Sequence, residues 1–218
     1  MKIILVLCVF MVALPAFAGT FKDNFDDGNL DGWVKSGNGS WEVLDGRCKI
    51  SLFPGGPCSL MMIGEPDWKD YTVEIEMQSN QAFDYIGFRV RVQDFDNGYP
   101  WVVCVTDNTV RWYTQINNNF TVITSDKTQG DLIREKHTLK AVIKGNEFEG
   151  YYDGKLIRVA IFDHFKTGKV TIGICGSGPS SAFFDNVIIT GDKVPDNSKS
   201  VESKGKLAAI WGEIRRGK

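Results

Sequence analysis

A regular alternation of apolar and polar residues recurs along this chain and constrains its fold more than any other feature. In residues 71–77 every second residue is apolar, and residues 86–92 repeat the pattern. Successive side chains of a strand point to opposite faces, so each segment has one apolar face and one polar face. Antiparallel sheets that cover a core on one side and meet water on the other show this pattern. The sequence therefore predicts an all-β fold of antiparallel sheets.

Short strands separated by turn residues extend this pattern over most of the chain. Turn signals such as Asp153-Gly154 and the asparagines of 117–119 stand between the segments, and no helical periodicity intervenes. Strands are predicted at 41–44, 71–77, 86–92, 99–106, 109–116, 120–124, 137–144, 147–152, 169–175 and 182–190. Many short strands with regular turns indicate a two-sheet β-sandwich or a barrel.

Both ends of the chain differ from this pattern. Residues 1–18 combine a basic start, an apolar run too short to span a bilayer and an Ala-x-Ala site ending at Ala18, which predicts a signal peptide. Residues 19–191 are the predicted sandwich domain, and the polar residues 192–203 a linker. In 204–218 the apolar residues fall at helical spacing, which predicts a short amphipathic C-terminal helix. This helix either docks on the sandwich or stays frayed and free, or it is a small apolar anchor for a partner or the cell envelope.

A signal peptide implies a secreted, periplasmic or cell-surface protein, and this changes how the cysteines are interpreted. Four cysteines follow residue 18, and an oxidising compartment permits disulfides. Cys48 and Cys58 flank the turn-forming residues 54–57, so we expect them to pair across a hairpin. Cys104 and Cys175 lie in apolar strands and either pair or remain buried thiols.

The charge of the chain restricts the kinds of partner to expect. The net charge is −2 and the isoelectric point is near 5.7. Nucleic-acid binding usually needs a basic face, so no nucleic-acid partner is expected. No apolar run of the length of a transmembrane helix is found in the sequence.

Six short motifs occur in an order that resembles a known family. They are residues 21–33, 41–46, 70–75, 87–91, 151–156 and 184–187. Together they resemble concanavalin A-like lectin/glucanase domains of the laminin-G jelly-roll type in secreted bacterial proteins, with a more distant similarity to 3-keto-disaccharide hydrolase domains. The resemblance implies a jelly-roll sandwich over about residues 21–190. It does not specify a function, because one fold supports many functions.

The resemblance also implies a structural calcium ion where the first and last strands meet. By position, Asp23 or Asp26 and Asp185 match the carboxylates that hold it. Calcium takes six to eight oxygen ligands, which these side chains and loop carbonyls could supply. The alternative is that Asp26 and its neighbours only cap turns.

The alternation also suggests where a sugar would bind. Glu74 and Glu76 share one face of their strand, and Arg89 and Arg91 share one face of the next predicted strand, so the four charges are expected to face each other. Such groups hydrogen-bond sugar hydroxyls. The remaining candidates are Trp101, Arg111 and Tyr113, although a tryptophan is more often a core residue.

The sequence leaves three functions open. The first is a secreted, non-catalytic module that binds a polysaccharide or other glycan. The second is a glycoside hydrolase, but the laminarinase-like E-x-D-x-x-E pattern is incomplete around Glu74 and Glu76, because Gln78 and Ser79 follow. The third is a structural envelope protein whose C-terminal helix docks a partner. The sequence favours them in this order and predicts no catalytic residue.

Overall fold

The computed structural model describes residues 18–81 and 85–197, which form fifteen β-strands and no α-helix. The strands are β1 Gly19–Asp23, β2 Val34–Gly37, β3 Gly39–Leu44, β4 Arg47–Leu52, β5 Cys58–Ile63, β6 Tyr71–Ser79, β7 Tyr85–Asp94, β8 Asn97–Cys104, β9 Thr109–Ile116, β10 Asn119–Lys127, β11 His137–Lys144, β12 Glu147–Tyr152, β13 Lys155–Ile161, β14 Lys169–Cys175 and β15 Ser180–Gly191. The signal peptide up to residue 17 and the predicted C-terminal helix lie outside the described residues, and no described helix could cross a membrane.

The strands form two antiparallel sheets. Sheet A has the order β13-β12-β11-β6-β15-β4-β3, and β1 adds to it by pairing with β15. Sheet B has the order β10-β9-β8-β7-β14-β5-β2. Strands that are neighbours in sheet B, such as β7 and β14, are far apart in the chain, which requires connections that cross between the sheets. The predicted all-β sandwich of antiparallel sheets is confirmed.

The core lies between the inner faces of the two sheets, where the alternation predicted apolar side chains. From β6 of sheet A, Val73 and Ile75 are fully buried, and from β7 of sheet B, Phe88 and Val90 pack toward them. Burial of these side chains removes apolar surface from water and is the main force that holds the sheets together. The predicted facing of both strands is therefore correct for their apolar residues.

The expected disulfide is wrong. Cys48 lies on β4 of sheet A, whereas Cys58 lies on β5 of sheet B, so the turn at 54–57 carries the chain from one sheet to the other instead of closing a hairpin. Cys58 instead bonds Cys175, its direct partner across β5 and β14. Cys48 and Cys104 are buried free thiols.

The first residues after β15, predicted as the start of a linker, pack against the sandwich. Val194 is buried in the core cluster, and its backbone nitrogen donates to the Gly191 carbonyl. Asn197 donates its backbone N–H to Thr20 of β1 and accepts the backbone N–H of Lys22 at 2.7 Å. The described chain therefore ends beside β1.

Candidate ligand-binding site

An open groove lies on the outer face of sheet B, the face that points away from the core. Its volume is about 440 Å³. Strands β5, β14, β7, β8, β9 and β10 all contribute to it, with residues that include Leu60, Gly87, Arg89, Pro100, Tyr113, Phe120, Thr171 and Gly173. No aspartate or glutamate is among the described lining residues. We call this feature the sheet B groove.

The floor of the groove is low because two glycines pair at its centre. Gly87 on β7 is directly opposite Gly173 on β14, and both line the groove. Their φ angles are 152° and 155°, a conformation that other residues rarely adopt. A Cβ atom at Gly173 would lie 2.3 Å from the Ser59 carbonyl oxygen. The backbone at these two positions therefore requires glycine, and neither residue adds a side chain to the lining of the groove.

Arg89 lies beside the glycine pair and is the charged residue among the described lining residues. The residue is only 4% exposed. One terminal nitrogen donates to the Phe95 carbonyl at 2.8 Å, and the other lies 3.5 and 3.3 Å from the sulfurs of Cys58 and Cys175. Burial lowers the pKa of Arg89 to about 10, so the guanidinium is still protonated at neutral pH.

Aromatic rings form one wall of the groove. Tyr113 on β9 contacts Tyr85 edge to face, with ring centroids 5.7 Å apart, and it contacts Phe120 on β10 at 6.3 Å. Phe120 is 48% exposed, and its ring lies 5.7 Å from the Arg89 guanidinium carbon. The ring of Phe120 is therefore accessible to a ligand.

A second polar group lies next to Arg89. Thr171 on β14 is paired directly with Arg89 on β7 and lines the groove. Its hydroxyl is buried and has no hydrogen-bond partner among the described residues. Buried polar groups are usually hydrogen-bonded, so an unpartnered hydroxyl in a groove favours a ligand or water there. The groove thus combines an apolar and aromatic lining with a few polar groups, as small-molecule sites do.

Comparison with known proteins identifies the fold. No protein-family model and no curated protein sequence matches the chain. Among solved structures, the carbohydrate-binding module CBM66 from Bacillus subtilis matches with a TM-score of 0.64 and 23% identity, over 73% of this chain and 95% of the module. The β-glucanase from Bacillus licheniformis matches with a TM-score of 0.60 and 16% identity, over 78% of this chain and 97% of the glucanase. The fold is that of the concanavalin A-like jelly rolls.

A longer protein contains the same jelly roll as one of its parts. A GH43 protein from Bacillus licheniformis matches 78% of this chain with a TM-score of 0.63 and 13% identity. This chain spans 39% of that protein. At these identities the similarity establishes the fold of the chain.

The predicted cluster of two glutamates and two arginines does not form. The strand of Glu74 and Glu76, β6, belongs to sheet A, whereas the strand of Arg89 and Arg91, β7, belongs to sheet B. Glu74 instead pairs with Lys140 at 3.2 Å, and Glu76 with Lys136 at 3.3 Å. The expectation that the four charges face each other is wrong, because the chain crosses from sheet A to sheet B between β6 and β7.

Arg91 does not lie on the outer face with Arg89. The pairing of β7 shifts register after Val90, and Arg91 has a φ of 47°, which marks a β-bulge. The Arg91 side chain is fully buried, with its guanidinium 4.8 Å from the Phe148 ring centre and bonded to the carbonyls of Phe165 and Lys69. Its predicted place in a sugar site is therefore wrong, and its contacts are those of a structural residue.

The other predicted sugar ligands divide between the core and the groove. Trp101 is fully buried and stacks on Trp112 with ring centroids 4.7 Å apart, so its prediction as a sugar ligand is wrong. Tyr113 lines the groove, and Arg111 donates to its hydroxyl at 3.2 Å and pairs with Asp107. The structure thus brings Arg89, Tyr113 and Arg111 to one face.

The carboxylates expected to hold calcium use their oxygens within the protein. Asp23 accepts the backbone N–H of Phe25 at 2.9 Å and the indole N–H of Trp33 at 2.8 Å. Burial raises the pKa of Asp23 and of Asp185. The charge of Asp185 adds to the shift of Asp23, and the charges of Glu76 and Asp26 add to the shift of Asp185. No group of three or more metal-ligating side chains is found among the described residues. Calcium binding stays a prediction from the resemblance.

Several groove residues were not among those predicted from the sequence. Phe120, Thr171 and Tyr85 each occupy an outward position of a strand, but outward positions are numerous and nothing in the sequence distinguishes them. The one usable signal was a glycine inside each of two alternating strands, Gly87 and Gly173. A glycine in a strand interior often marks a place where another backbone or a ligand approaches closely.

Proposed function

We propose that this chain is a secreted carbohydrate-binding module that holds a glycan in the sheet B groove without turning it over. The observation that carries the proposal is the groove itself, with a glycine floor, an exposed aromatic ring at Phe120 and the polar groups of Arg89 and Thr171. A sugar ring has an apolar face that can lie on an aromatic ring and hydroxyls that need hydrogen-bond partners. The groove offers both kinds of contact within a volume typical of ligand sites.

Two comparisons support a role with carbohydrates. The jelly roll is shared with a carbohydrate-binding module of Bacillus subtilis and with a β-glucanase of Bacillus licheniformis. Glycoside hydrolysis generally requires a pair of carboxyl groups on either side of the scissile bond. The described lining residues of the groove include no aspartate or glutamate, and Glu74 and Glu76 pair with lysines on the other sheet. These observations favour binding over hydrolysis.

Glycan-array screening followed by isothermal titration tests the proposal. Phe120→Ala removes an exposed ring without opening the core, so we expect affinity for any bound glycan to fall about tenfold, as for an aromatic anchor in an interface. The matched control is the double variant Glu74→Gln/Glu76→Gln, which changes exposed charges on the opposite sheet and should leave affinity unchanged.

Three results would contradict the proposal. The first is that no glycan binds the wild-type protein. The second is that the Glu74/Glu76 control weakens binding as much as Phe120→Ala does. The third is the release of sugar from a bound oligosaccharide, measured by chromatography; loss of that release in the glutamate variant would favour the hydrolase.

A further inference from the structure

We propose that the ligand of the sheet B groove is an acidic glycan, whose carboxylate or sulfate group binds the Arg89 guanidinium. This inference rests on the proposed function and names the class of sugar that the groove takes. It follows from the charge of one buried side chain and from the composition of the groove around it.

Arg89 differs from Arg91, the other buried arginine among the described residues, in having no ion pair. Arg91 lies 3.6 Å from Asp70, and Arg111 and Arg158 pair with Asp107 and Asp126. Arg89 is 4% exposed, yet no described carboxylate lies within 4.0 Å of it, and its neighbours are one carbonyl oxygen and the two disulfide sulfurs. Its positive charge is therefore uncompensated by any described ion pair.

Burial of an unpaired charge costs several kcal/mol, because the charge loses its hydration. A guanidinium is planar and matches the two oxygens of a carboxylate or sulfate, to which it can donate two parallel hydrogen bonds. An anionic group that enters the groove would restore the electrostatic stabilisation that Arg89 loses on burial. A neutral sugar hydroxyl would restore less of it.

The surroundings of Arg89 strengthen this attraction. Leu60, Pro100 and Phe120 give the groove apolar walls, and apolar walls focus the field of a buried charge. The unpartnered Thr171 hydroxyl lies on the strand position opposite Arg89 and can donate a further hydrogen bond to the same anion. Charge, hydroxyl and ring thus lie around one point of the groove.

Two pairs of ligands test the inference with the wild-type protein alone. Oligogalacturonate is compared with its methyl ester, which keeps the sugar and removes the charge, and a sulfated galactan oligosaccharide is compared with its desulfated form. We expect the acidic member of at least one pair to bind about tenfold or more tightly by isothermal titration, because charge-assisted hydrogen bonds are stronger than neutral ones. The pair that shows the preference tells carboxylate from sulfate.

Variants then assign the preference to Arg89. In Arg89→Gln the acidic and neutral members of the pair should bind equally, while Arg89→Lys should retain part of the preference. Arg158→Gln, which removes a half-exposed arginine at the sheet edge, is the control and should keep the full preference. Thermal melting of each variant shows whether it is folded, and the ligand pairs test the inference even if Arg89→Gln does not fold.

The failure of this inference differs from failure of the proposed function. If neutral and acidic members of both pairs bind the wild type equally, or if only neutral glycans bind, the inference is overturned and carbohydrate binding stands. If no glycan of any kind binds, both are overturned. If Arg158→Gln abolishes the preference as Arg89→Gln does, the attraction is a general charge effect and the assignment to Arg89 is wrong.

Discussion

The outer faces of the two sheets carry their charges in opposite ways. On sheet A, Glu74 and Glu76 form partly exposed pairs with Lys140 and Lys136. On sheet B, Arg89 is buried in an apolar groove, and no described carboxylate lies within 4.0 Å of it. Exposed pairs contribute about 0–1 kcal/mol, because water already solvates both partners. The charges of Glu74 and Glu76 on sheet A are therefore paired and solvated, whereas the charge of Arg89 on sheet B has no described ion pair.

The same contrast appears between two arginines that are separated by one residue of β7. Arg89 faces the groove, and Arg91 turns into the space between the sheets because a β-bulge interrupts the alternation. The Tyr71 hydroxyl accepts the backbone N–H of Arg91 at 2.7 Å and so satisfies the bulged backbone. A single irregular residue thus converts an outward position into an interior one.

The covalent link at the groove gives the largest expected effect on stability. Replacement of Cys58 and Cys175 by serine should lower the free energy of unfolding by about 4 kcal/mol, because the bond closes a loop with a sequence separation of 117. Urea unfolding measures it. Glu74→Gln on sheet A is the control, with an expected loss below about 1 kcal/mol.

A thiol assay gives a second check of the disulfide. A protein that starts at residue 19 should show two reactive thiols when unfolded without reductant, from Cys48 and Cys104. Four thiols, or a stability loss in the serine variant no larger than that of the sheet A control, would show that the link is absent or unimportant.

The two arginines of β7 give the next largest effect. Arg91→Met should lower the free energy of unfolding by about 3 kcal/mol, because it leaves the carbonyls of Phe165 and Lys69 without their donor. Arg89→Met should cost less, since it removes one carbonyl bond together with a buried charge that has no described ion pair. Urea unfolding of both variants at neutral pH compares them. Equal losses, or a larger loss in Arg89→Met, would remove the distinction between a structural and a ligand-binding arginine.

The fall of stability at alkaline pH tests the role of Tyr71, whose hydroxyl accepts the backbone N–H of Arg91 at the β-bulge. Burial raises the pKa of Tyr71 above its ordinary value of 10.0. Above pH 10 the unfolded chain loses the Tyr71 proton while the folded protein keeps it, so stability falls as pH rises toward the folded pKa, by up to about 1.4 kcal/mol per pH unit for this group. Tyr71→Phe should reduce that slope in urea unfolding between pH 9 and pH 11 (roughly the window in which the unfolded phenol titrates). An unchanged slope in Tyr71→Phe would contradict the assignment.

Strand content could be predicted because it depends on local alternation. The bounds predicted for β9, β11, β12 and β14 agree with the structure, and β6 and β7 were found with their inner faces correct. The strands β1, β2, β4, β5 and β13 were not predicted. The strands β1, β2 and β13 lie at sheet edges and carry little alternation, and the residues of β4 and β5 were interpreted only as flanking a turn. In β13, for example, the burial pattern changes phase at a register shift beside Gly150.

The positions of the sugar-site residues and of the disulfide depend on which strands are neighbours, and local sequence patterns do not contain that information. Glu74 and Arg89 were placed together because their strands follow each other in the chain, and Cys48 and Cys58 for the same reason. In a jelly roll the chain crosses between sheets at both points, so chain neighbours become members of opposite sheets. Trp101 was a possible ligand until its stacking on Trp112 placed it in the core.

By itself the sequence determined which residues form strands and which side of each regular strand is apolar, because both follow from side-chain chemistry repeated every two residues. Only the tertiary structure decided which strands are neighbours, and with that the partner of Cys58, the burial of Arg91 and the groove around Arg89. The physical reason is that strand pairing joins residues far apart in the chain through backbone hydrogen bonds that every residue can make. The alternation shows which face of a strand is apolar, and the packing of the whole sandwich decides which strands pair with each other.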